Sequence, residues 1–286
     1  MFSRRPAWNI TIAVTFLVGN VILFCPKYVA AQRPASTKAL QVTDHPDFTG
    51  SWERFGDKGF NDKEACSEQK NALGQPGVKC SLPFNELKKN YLNGRALAWL
   101  QFADERLASK WYCTPPTLPI YLDSGITTFN ELTVSELQIE NTSNDEQEYR
   151  IAHMDGRPHP SLQKLFYQGH TIGWYENGDL VIETTNFTFD PTGMEDNTLL
   201  PSSFLKKVTE RYRKTSPDLL SATVTLEDSL FLKKPYTWTF QLKKVPQPEA
   251  GPHPCDPEAT LYELDILAPD PYEDSLVRVP DALGGK

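Results

Sequence analysis

The sequence lacks the short motifs that mark the commonest hydrolases, metalloproteases and nucleotide-binding proteins. It contains no G-x-S-x-G nucleophile elbow, no H-E-x-x-H zinc motif and no glycine-rich phosphate loop. Ser202 and Ser203 follow a proline outside any such motif, so nothing marks either hydroxyl as a nucleophile. These absences argue against the most frequent hydrolase and nucleotide-binding functions.

Basic residues are scarce. The chain carries 29 Lys and Arg against 37 Asp and Glu, a formal net charge of −8. An acidic surface repels the phosphate backbone of nucleic acids. We therefore expect no nucleic-acid partner.

Long apolar runs are confined to the N-terminus. Arg4 and Arg5 precede an apolar run over 10–24, and small residues at 29–31 offer a cleavage site before Gln32, a pattern typical of a signal peptide. Polar and helix-breaking residues leave the run shorter than the ~20 residues that span a bilayer, although an uncleaved anchor is the alternative. We predict a signal peptide over 1–31 and an exported protein, periplasmic or extracellular, that meets the membrane only through this segment before cleavage.

Cysteines are few, and one of the five, Cys25, falls within the predicted signal peptide. The remaining four form an even set, which in an oxidising compartment indicates two disulfides. A Cys66–Cys80 bond would close a local loop and a Cys113–Cys255 bond would tie down the C-terminal segment, with the other two pairings left open. Because the sequence has no C-x-x-C pair, a four-cysteine metal site is not favoured.

Residues 32–286 are predicted to form a single β-rich domain with three subregions. Apolar residues recur at helical spacing between Asn85 and Lys110, with a break at Asn93-Gly94, so about 53–112 should contain loops and one or two helices. The sheet should cover about 130–245. A proline-rich acidic tail over 246–286 should lie on the surface.

Within the sheet region, the apolar period changes from helical to two residues. The predicted strands cover 132–139, 148–153, 171–175, 180–185, 206–213, 219–226 and 237–243, and a phase change at Ser135-Glu136 indicates a bulge in the first. Tight turns without helical crossovers favour an antiparallel meander, closed as a lipocalin-like barrel or folded as a sandwich. The fold class is therefore mainly β, with the N-terminal helices packed against the sheet.

The dipeptide Asn177-Gly178 predicts a two-residue type I′ hairpin loop. The resulting register places His170 and Glu183 as diagonal neighbours on one face, with Trp174 farther along it. A carboxylate beside an imidazole would orient the ring and raise its pKa. His170 and Glu183 are thus candidate catalytic residues and Trp174 a candidate pocket wall; a solvent-facing polar pair is the alternative.

A second polar cluster surrounds the Asp155-Gly156 turn, where two prolines stiffen the loop. Its candidate ligand-binding residues are His153, Asp155, Arg157 and His159, because the guanidinium fork of arginine suits a carboxylate. Alternatively, Asp155 caps its own turn and Arg157 braces a neighbouring acid. The histidines suit zinc by type, but their spacing matches no familiar ligand motif, so no metal site is predicted.

Several segments together resemble a family of exported bacterial proteins. They read PDFTGSW at 46–52, CTPPTLP at 113–119, DGRPHP at 155–160, GHTIGWYENGDLVIETTNF at 169–187 and VTERY at 208–212. In that family the hairpin usually reads G-H-S-x-G-x-W-E-G-D-T-L-V-V-x-T, and here the tryptophan, Trp174, is displaced by one or two positions. The resemblance implies secretion and a β-rich fold, and it implies no substrate.

Three functions agree with these features. The first is an extracytoplasmic β-barrel or sandwich that binds a small molecule. The alternative is an enzyme without an organic cofactor, a lyase, isomerase or hydrolase that uses His170 and Glu183 as a general base and Arg157 or His153 to steady negative charge. The third is a structural envelope protein.

Overall fold

The computed structural model describes residues 45–55, 66–70, 76–80, 88–122, 125–142, 147–196, 198–248 and 255–267. The chain divides into two compact units, Met1–Gln41 and Val42–Lys286, and all the described residues belong to the second. The predicted signal peptide and the last part of the predicted tail lie outside these ranges.

Nine strands close into a barrel, which confirms the predicted mainly β fold and selects the barrel over the sandwich. Its strand order is β1-β13-β12-β11-β8-β7-β6-β5-β4, with β4 returning to β1, and β2–β3 and β9–β10 form separate two-stranded sheets. The strands of the described ranges are β1 (Gly50–Phe55), β2 (Cys66–Lys70), β3 (Pro76–Cys80), β4 (Ile126–Thr133), β5 (Glu136–Thr142), β6 (Gln147–His153), β7 (His170–Glu176), β8 (Asp179–Thr185), β9 (Asp190–Glu195), β10 (Leu200–Ser202), β11 (Lys207–Ser216), β12 (Leu219–Glu227) and β13 (Tyr236–Val245).

Alternation of apolar and polar residues decides which side of each strand faces the barrel interior. In β12, Leu220, Ala222, Val224 and Leu226 are buried while the residues between them are partly exposed. Successive side chains of a strand point to opposite faces, so this pattern places every second residue in the core. The largest buried side chains of that core are aromatic: Trp52, Phe129, Tyr212 and Phe48.

Two predictions about strands in the N-terminal half of the barrel were wrong. The phase change at Ser135-Glu136 is a two-residue hairpin turn between β4 and β5, because Thr133 pairs with Glu136. Val134 lies in that turn and is 79% exposed, so an apolar side chain there concealed the turn from the periodicity. The segment around Trp52 lies outside the predicted sheet region of about 130–245 but forms the barrel strand β1.

The pair β6–β7 departs from the predicted antiparallel meander. These strands run parallel and are joined at a single register pair, His153 with Ile172. Pro158 and Pro160 lie in the connection, and proline lacks the N–H that a returning ladder strand needs. The chain therefore crosses over between the two strands, which brings the end of β6 beside the start of β7.

The predicted helix break at Asn93-Gly94 is the start of α1 (Gly94–Trp99). The Asn93 side chain caps this helix by accepting hydrogen bonds from the backbone N–H groups of Arg95 (2.9 Å) and Ala96 (3.2 Å). Ala96 is buried in the core, so the helix packs against the barrel as predicted. It is shorter than the periodicity suggested, because short 3₁₀ turns follow over 105–107 and 109–112.

The tail contains a further helix, α2 (Pro257–Leu267), which the sequence did not indicate. Leu264 packs beside Trp111, and the Cys113–Cys255 disulfide ties the start of the helix to the body of the protein, as predicted. Cys66 and Cys80 face each other in the backbone register of β2–β3. Their side chains lie outside the described part of the structure, so the Cys66–Cys80 disulfide stays a prediction.

A buried lysine joins the loops at one end of the barrel. Lys206 is 1% exposed, and its Nζ donates to Thr117 Oγ1 (2.8 Å) and to the carbonyl oxygens of Leu118 (2.7 Å) and Gly193 (2.8 Å). Burial lowers the pKa of this lysine to about 7, against the opposing influence of nearby carboxylates. Three acceptors around one ammonium hold the 117–118 and 193 backbones together.

None of the helices in the described part of the chain has the length and apolar character needed to cross a bilayer.

Candidate functional site

The β7–β8 hairpin has the predicted register. Asn177 and Gly178 both have positive φ, 53° and 82°, as a type I′ loop requires. His170 faces Thr185, Ile172 faces Glu183 and Trp174 faces Val181. The alternate residues Leu180 and Ile182 belong to the core, so the face that carries His170, Glu183 and Trp174 is the outer wall of the barrel.

The crossover between β6 and β7 folds back over this outer wall and places a third residue, His159, between the predicted pair. His159 Nδ1 lies 2.9 Å from His170 Nδ1, and His159 Nε2 lies 3.3 Å from Glu183 Oε1. Both partners are partly shielded, with side-chain exposures of 16% for His159 and 25% for Glu183. The expected carboxylate and imidazole are thus linked through a second imidazole, which the sequence reasoning had assigned to a separate cluster.

The contact between the two Nδ1 atoms restricts where the ring protons lie. A hydrogen bond between two Nδ1 atoms requires that one ring donates and the other accepts. His159 Nε2 lies 3.3 Å from Glu183 Oε1 without forming a hydrogen bond in the described structure, so this contact is electrostatic and does not fix the His159 tautomer. In the arrangement in which His170 is the donor of this pair, its Nε2 is unprotonated and is a basic nitrogen.

The predicted rise in the pKa of His170 was wrong. Burial, followed by the charges of His159, His153 and Arg157, lowers this pKa to about 4. The prediction assumed a carboxylate as the nearest charged neighbour, whereas the groups that surround the ring are other imidazoles and a guanidinium. His170 is therefore neutral at neutral pH.

His153 completes a group of three imidazoles at this point of the wall. The ring centroid of His153 lies 5.3 Å from that of His170. The His159 centroid lies 5.1 Å from the His170 centroid, with the two rings in a T-shaped arrangement. His153 Nδ1 is buried without a hydrogen-bond partner in the described structure. The parallel pairing of β6 with β7 explains this convergence, since it sets His153 beside Ile172.

Asp155 and Arg157 pair with each other. This agrees with the alternative in which Asp155 caps its own turn and Arg157 braces a neighbouring acid. The Arg157 guanidinium donates to both carboxylate oxygens of Asp155, with Nε to oxygen distances of 2.9 Å, and the Arg157 backbone N–H donates to Oδ1 (3.2 Å). The hydrogen bonds from Arg157 lower the pKa of Asp155 to about 2. Arg157 contributes to the histidine group through its charge, because it lowers the pKa of His170.

Trp174 lies on the same face but away from the imidazoles. It is four positions after His170 along β7, which corresponds to about 13 Å of extended strand. The structure thus brings together His153, His159, His170 and Glu183 and does not place Trp174 at their centre.

Sequence reasoning missed two supports of this site. Lys207 Nζ on β11 lies 3.9 Å from Glu183 Oε2 and 2.5 Å from Glu227 Oε2. It therefore places a positive charge near the Glu183 carboxylate. Asp179 accepts from both Arg211 (3.1 Å) and Arg213 (2.8 Å), which lowers its pKa and fixes the hairpin to β11. The basic residues that alternate along β11 were the sequence signal from which these ion pairs could have been predicted.

We define the outer-wall histidine site as His153, His159, His170 and Glu183. In the part of the chain that the structure describes, no group of three or more His, Cys, Asp or Glu side chains is placed to hold a metal ion. No protein-family model matches this chain, and no curated protein is significantly similar to it.

Proposed function

We propose that this protein is an enzyme without an organic cofactor that binds a small molecule at the outer-wall histidine site and uses His170 as a general base. The single observation that carries the proposal is the chain of contacts from Glu183 through His159 to His170. The small-molecule binding that the sequence analysis put first becomes the first step of this function.

The proposed step is a proton transfer along this chain. An O–H or C–H bond of the substrate, or of a water molecule that attacks it, breaks as its proton moves to His170 Nε2. The Nδ1 proton of His170 moves to His159 Nδ1, which becomes an imidazolium beside the Glu183 carboxylate. The electron pair of the broken bond stays on the oxygen or carbon that lost the proton. The proton then returns to the departing leaving group in a lyase or hydrolase reaction, or to a different atom of the substrate in an isomerase reaction.

Two features support the different roles of the two rings, in which His170 accepts the proton and His159 carries the resulting positive charge. The low pKa of His170, about 4, keeps this ring neutral and able to accept a proton. The negative charge of Glu183 lies against His159, the ring that would hold the positive charge after transfer. The nearby charges of Arg157 and Lys207 would steady an anionic substrate or intermediate.

Export of the protein is part of the same proposal. The Cys113–Cys255 disulfide is consistent with an oxidising compartment. The predicted signal peptide over 1–31 and the resemblance to exported bacterial proteins support a periplasmic or extracellular location. The acidic surface supports a small molecule rather than a nucleic acid as the partner.

Hydrolysis of 4-nitrophenyl acetate tests the base, because water activated by a neutral imidazole attacks this ester and releases nitrophenolate. We expect the rate of the wild-type protein to depend on a group with a pKa near 4, and kcat/KM to fall about a hundredfold in His170→Gln, a typical contribution of a general base. Glu183→Gln should lower the rate less. His45→Gln changes a histidine that stacks on Tyr175 near the other end of β7 and should have no effect. A wild-type rate in His170→Gln would refute the proposal.

A further inference from the structure

The crossover between β6 and β7 exposes three large apolar side chains, one of which lies beside the outer-wall histidine site. Leu162 is 54% exposed, Leu165 39% and Phe166 43%. The Phe166 ring centroid lies 6.1 Å from that of His170, with a tilt of 39° between the rings. Adjacent exposed apolar groups next to convergent polar groups are characteristic of a surface that binds a ligand.

Hydrogen bonds from a buried asparagine hold this apolar loop in place. Asn186 is 1% exposed, and its Nδ2 donates to the carbonyl oxygens of Pro160 (3.2 Å), Ser161 (3.1 Å) and Lys164 (2.9 Å). Its amide oxygen accepts from the Thr185 hydroxyl (2.7 Å), which fixes the orientation of the amide. The backbone of the loop is therefore fixed to the end of β8.

Phe166 is itself anchored by backbone hydrogen bonds on both sides. Its N–H donates to Asn186 O (2.8 Å), and its carbonyl oxygen accepts from Thr188 (3.0 Å) and Gly169 (3.1 Å). The ring is thus presented to solvent from a fixed backbone position at the edge of the imidazoles. Such preorganisation lowers the entropic cost of binding a ligand there.

We infer that Phe166, with Leu165 and Leu162, binds the apolar part of the substrate, and that the substrate is a small amphipathic molecule. This inference rests on the proposed function of the adjacent site. The polar, reacting end of the molecule lies against His170, and an aliphatic or aromatic group of several carbons lies on Phe166. The Phe166 ring lies beside the His170 ring, so a single small molecule can contact both.

A series of 4-nitrophenyl esters that differ only in acyl chain length tests this inference. All share the leaving group, so the ratio of kcat/KM between hexanoate and acetate isolates the contact with the apolar chain. We expect the wild-type protein to prefer hexanoate on the order of tenfold, because four methylenes are partly buried on an open surface. Phe166→Ala should remove most of this preference through KM, while Phe166→Leu should keep most of it.

Tyr149→Ala is a matched control, since it removes an aromatic side chain that is 67% exposed on β6. Its preference for hexanoate should equal that of the wild-type protein. If His170→Gln abolishes hydrolysis but Phe166→Ala lowers the acetate and hexanoate rates equally, the inference is wrong and the proposed base stands. If His170→Gln retains the wild-type rate, the proposed function itself is wrong. A Phe166→Asp variant with unchanged chain-length preference would also overturn the inference.

Discussion

The guanidinium of Arg150 meets the carboxylate of Glu210 across the interior of the barrel, with 2.7 Å between Nη2 and Oε2. The side chains are 6% and 0% exposed. Arg150 Nη1 also donates to Tyr121 Oη (2.9 Å), and the Tyr212 hydroxyl donates to the same carboxylate oxygen of Glu210 (2.6 Å). This pair connects β6 with β11 through the core rather than along the sheet.

Removal of one member of this pair should be strongly destabilising. We expect Glu210→Leu to lower the free energy of unfolding by about 3–5 kcal/mol, because it leaves a buried guanidinium without its counter-charge. The double variant Arg150→Met, Glu210→Leu should be more stable than the single variant, since neither charge is then buried. Urea unfolding followed by tryptophan fluorescence measures the stability of both variants. A double variant less stable than Glu210→Leu would contradict this account.

Lys206→Met should destabilise the end of the barrel. The substitution keeps an unbranched side chain but removes three hydrogen bonds to buried oxygens. Each buried acceptor that is left without a donor costs about 1–3 kcal/mol. We expect a loss of several kcal/mol in urea unfolding. Lys243→Met is the control, because Lys243 pairs with Glu53 on the surface and is 48% exposed. Equal losses in the two variants would show that the buried hydrogen bonds contribute nothing.

Stability should depend on pH through His170. Its pKa is about 4 in the folded protein and about 6.5 in an unfolded chain, so between these values the unfolded state binds more protons. Folding stability should therefore fall as the pH decreases from 6.5 to 4, and His170→Gln should flatten part of this slope. Two-dimensional NMR of ¹⁵N-labelled protein provides a direct check, since His170 should remain neutral at pH 5.5.

Gly173→Ala should be destabilising although the residue lies in a regular strand. A Cβ at this position would lie 2.5 Å from Met154 Sδ and 2.9 Å from Ile182 Cδ1. We expect a loss of about 1–3 kcal/mol from overpacking in thermal or urea unfolding. Gly94→Ala is the matched control because nothing lies within 4 Å of its added Cβ, and this variant should retain wild-type stability.

Local rules predicted much of the sheet. The Asn177-Gly178 loop has backbone dihedrals that few other dipeptides adopt easily, so the register of His170, Trp174 and Glu183 followed from it. The turn between β4 and β5 was not predicted because it contains Val134, which reads as part of a strand. β1 was missed for a different reason, since one short strand shows little periodicity of its own.

The candidate site was predictable only in part. His170 and Glu183 lie on one hairpin, so their common face could be inferred from register. His159 reaches them through a crossover that contains Pro158 and Pro160, and no periodicity determines the path of such a segment. The direction of the pKa shift of His170 depends on these distant neighbours and on burial, and for that reason the sequence led to the opposite sign.

The closure of the barrel has a consequence for biosynthesis. Ser51 in β1 pairs with Val245 in β13, so the first barrel strand finds one of its two partners only near the other end of the chain. Contacts of such long range make folding slow. Until β13 emerges from the ribosome or the translocation machinery, β1 and β12 each have an unpaired edge that can aggregate with other chains. A chain truncated before β13 should therefore accumulate in inclusion bodies or be degraded.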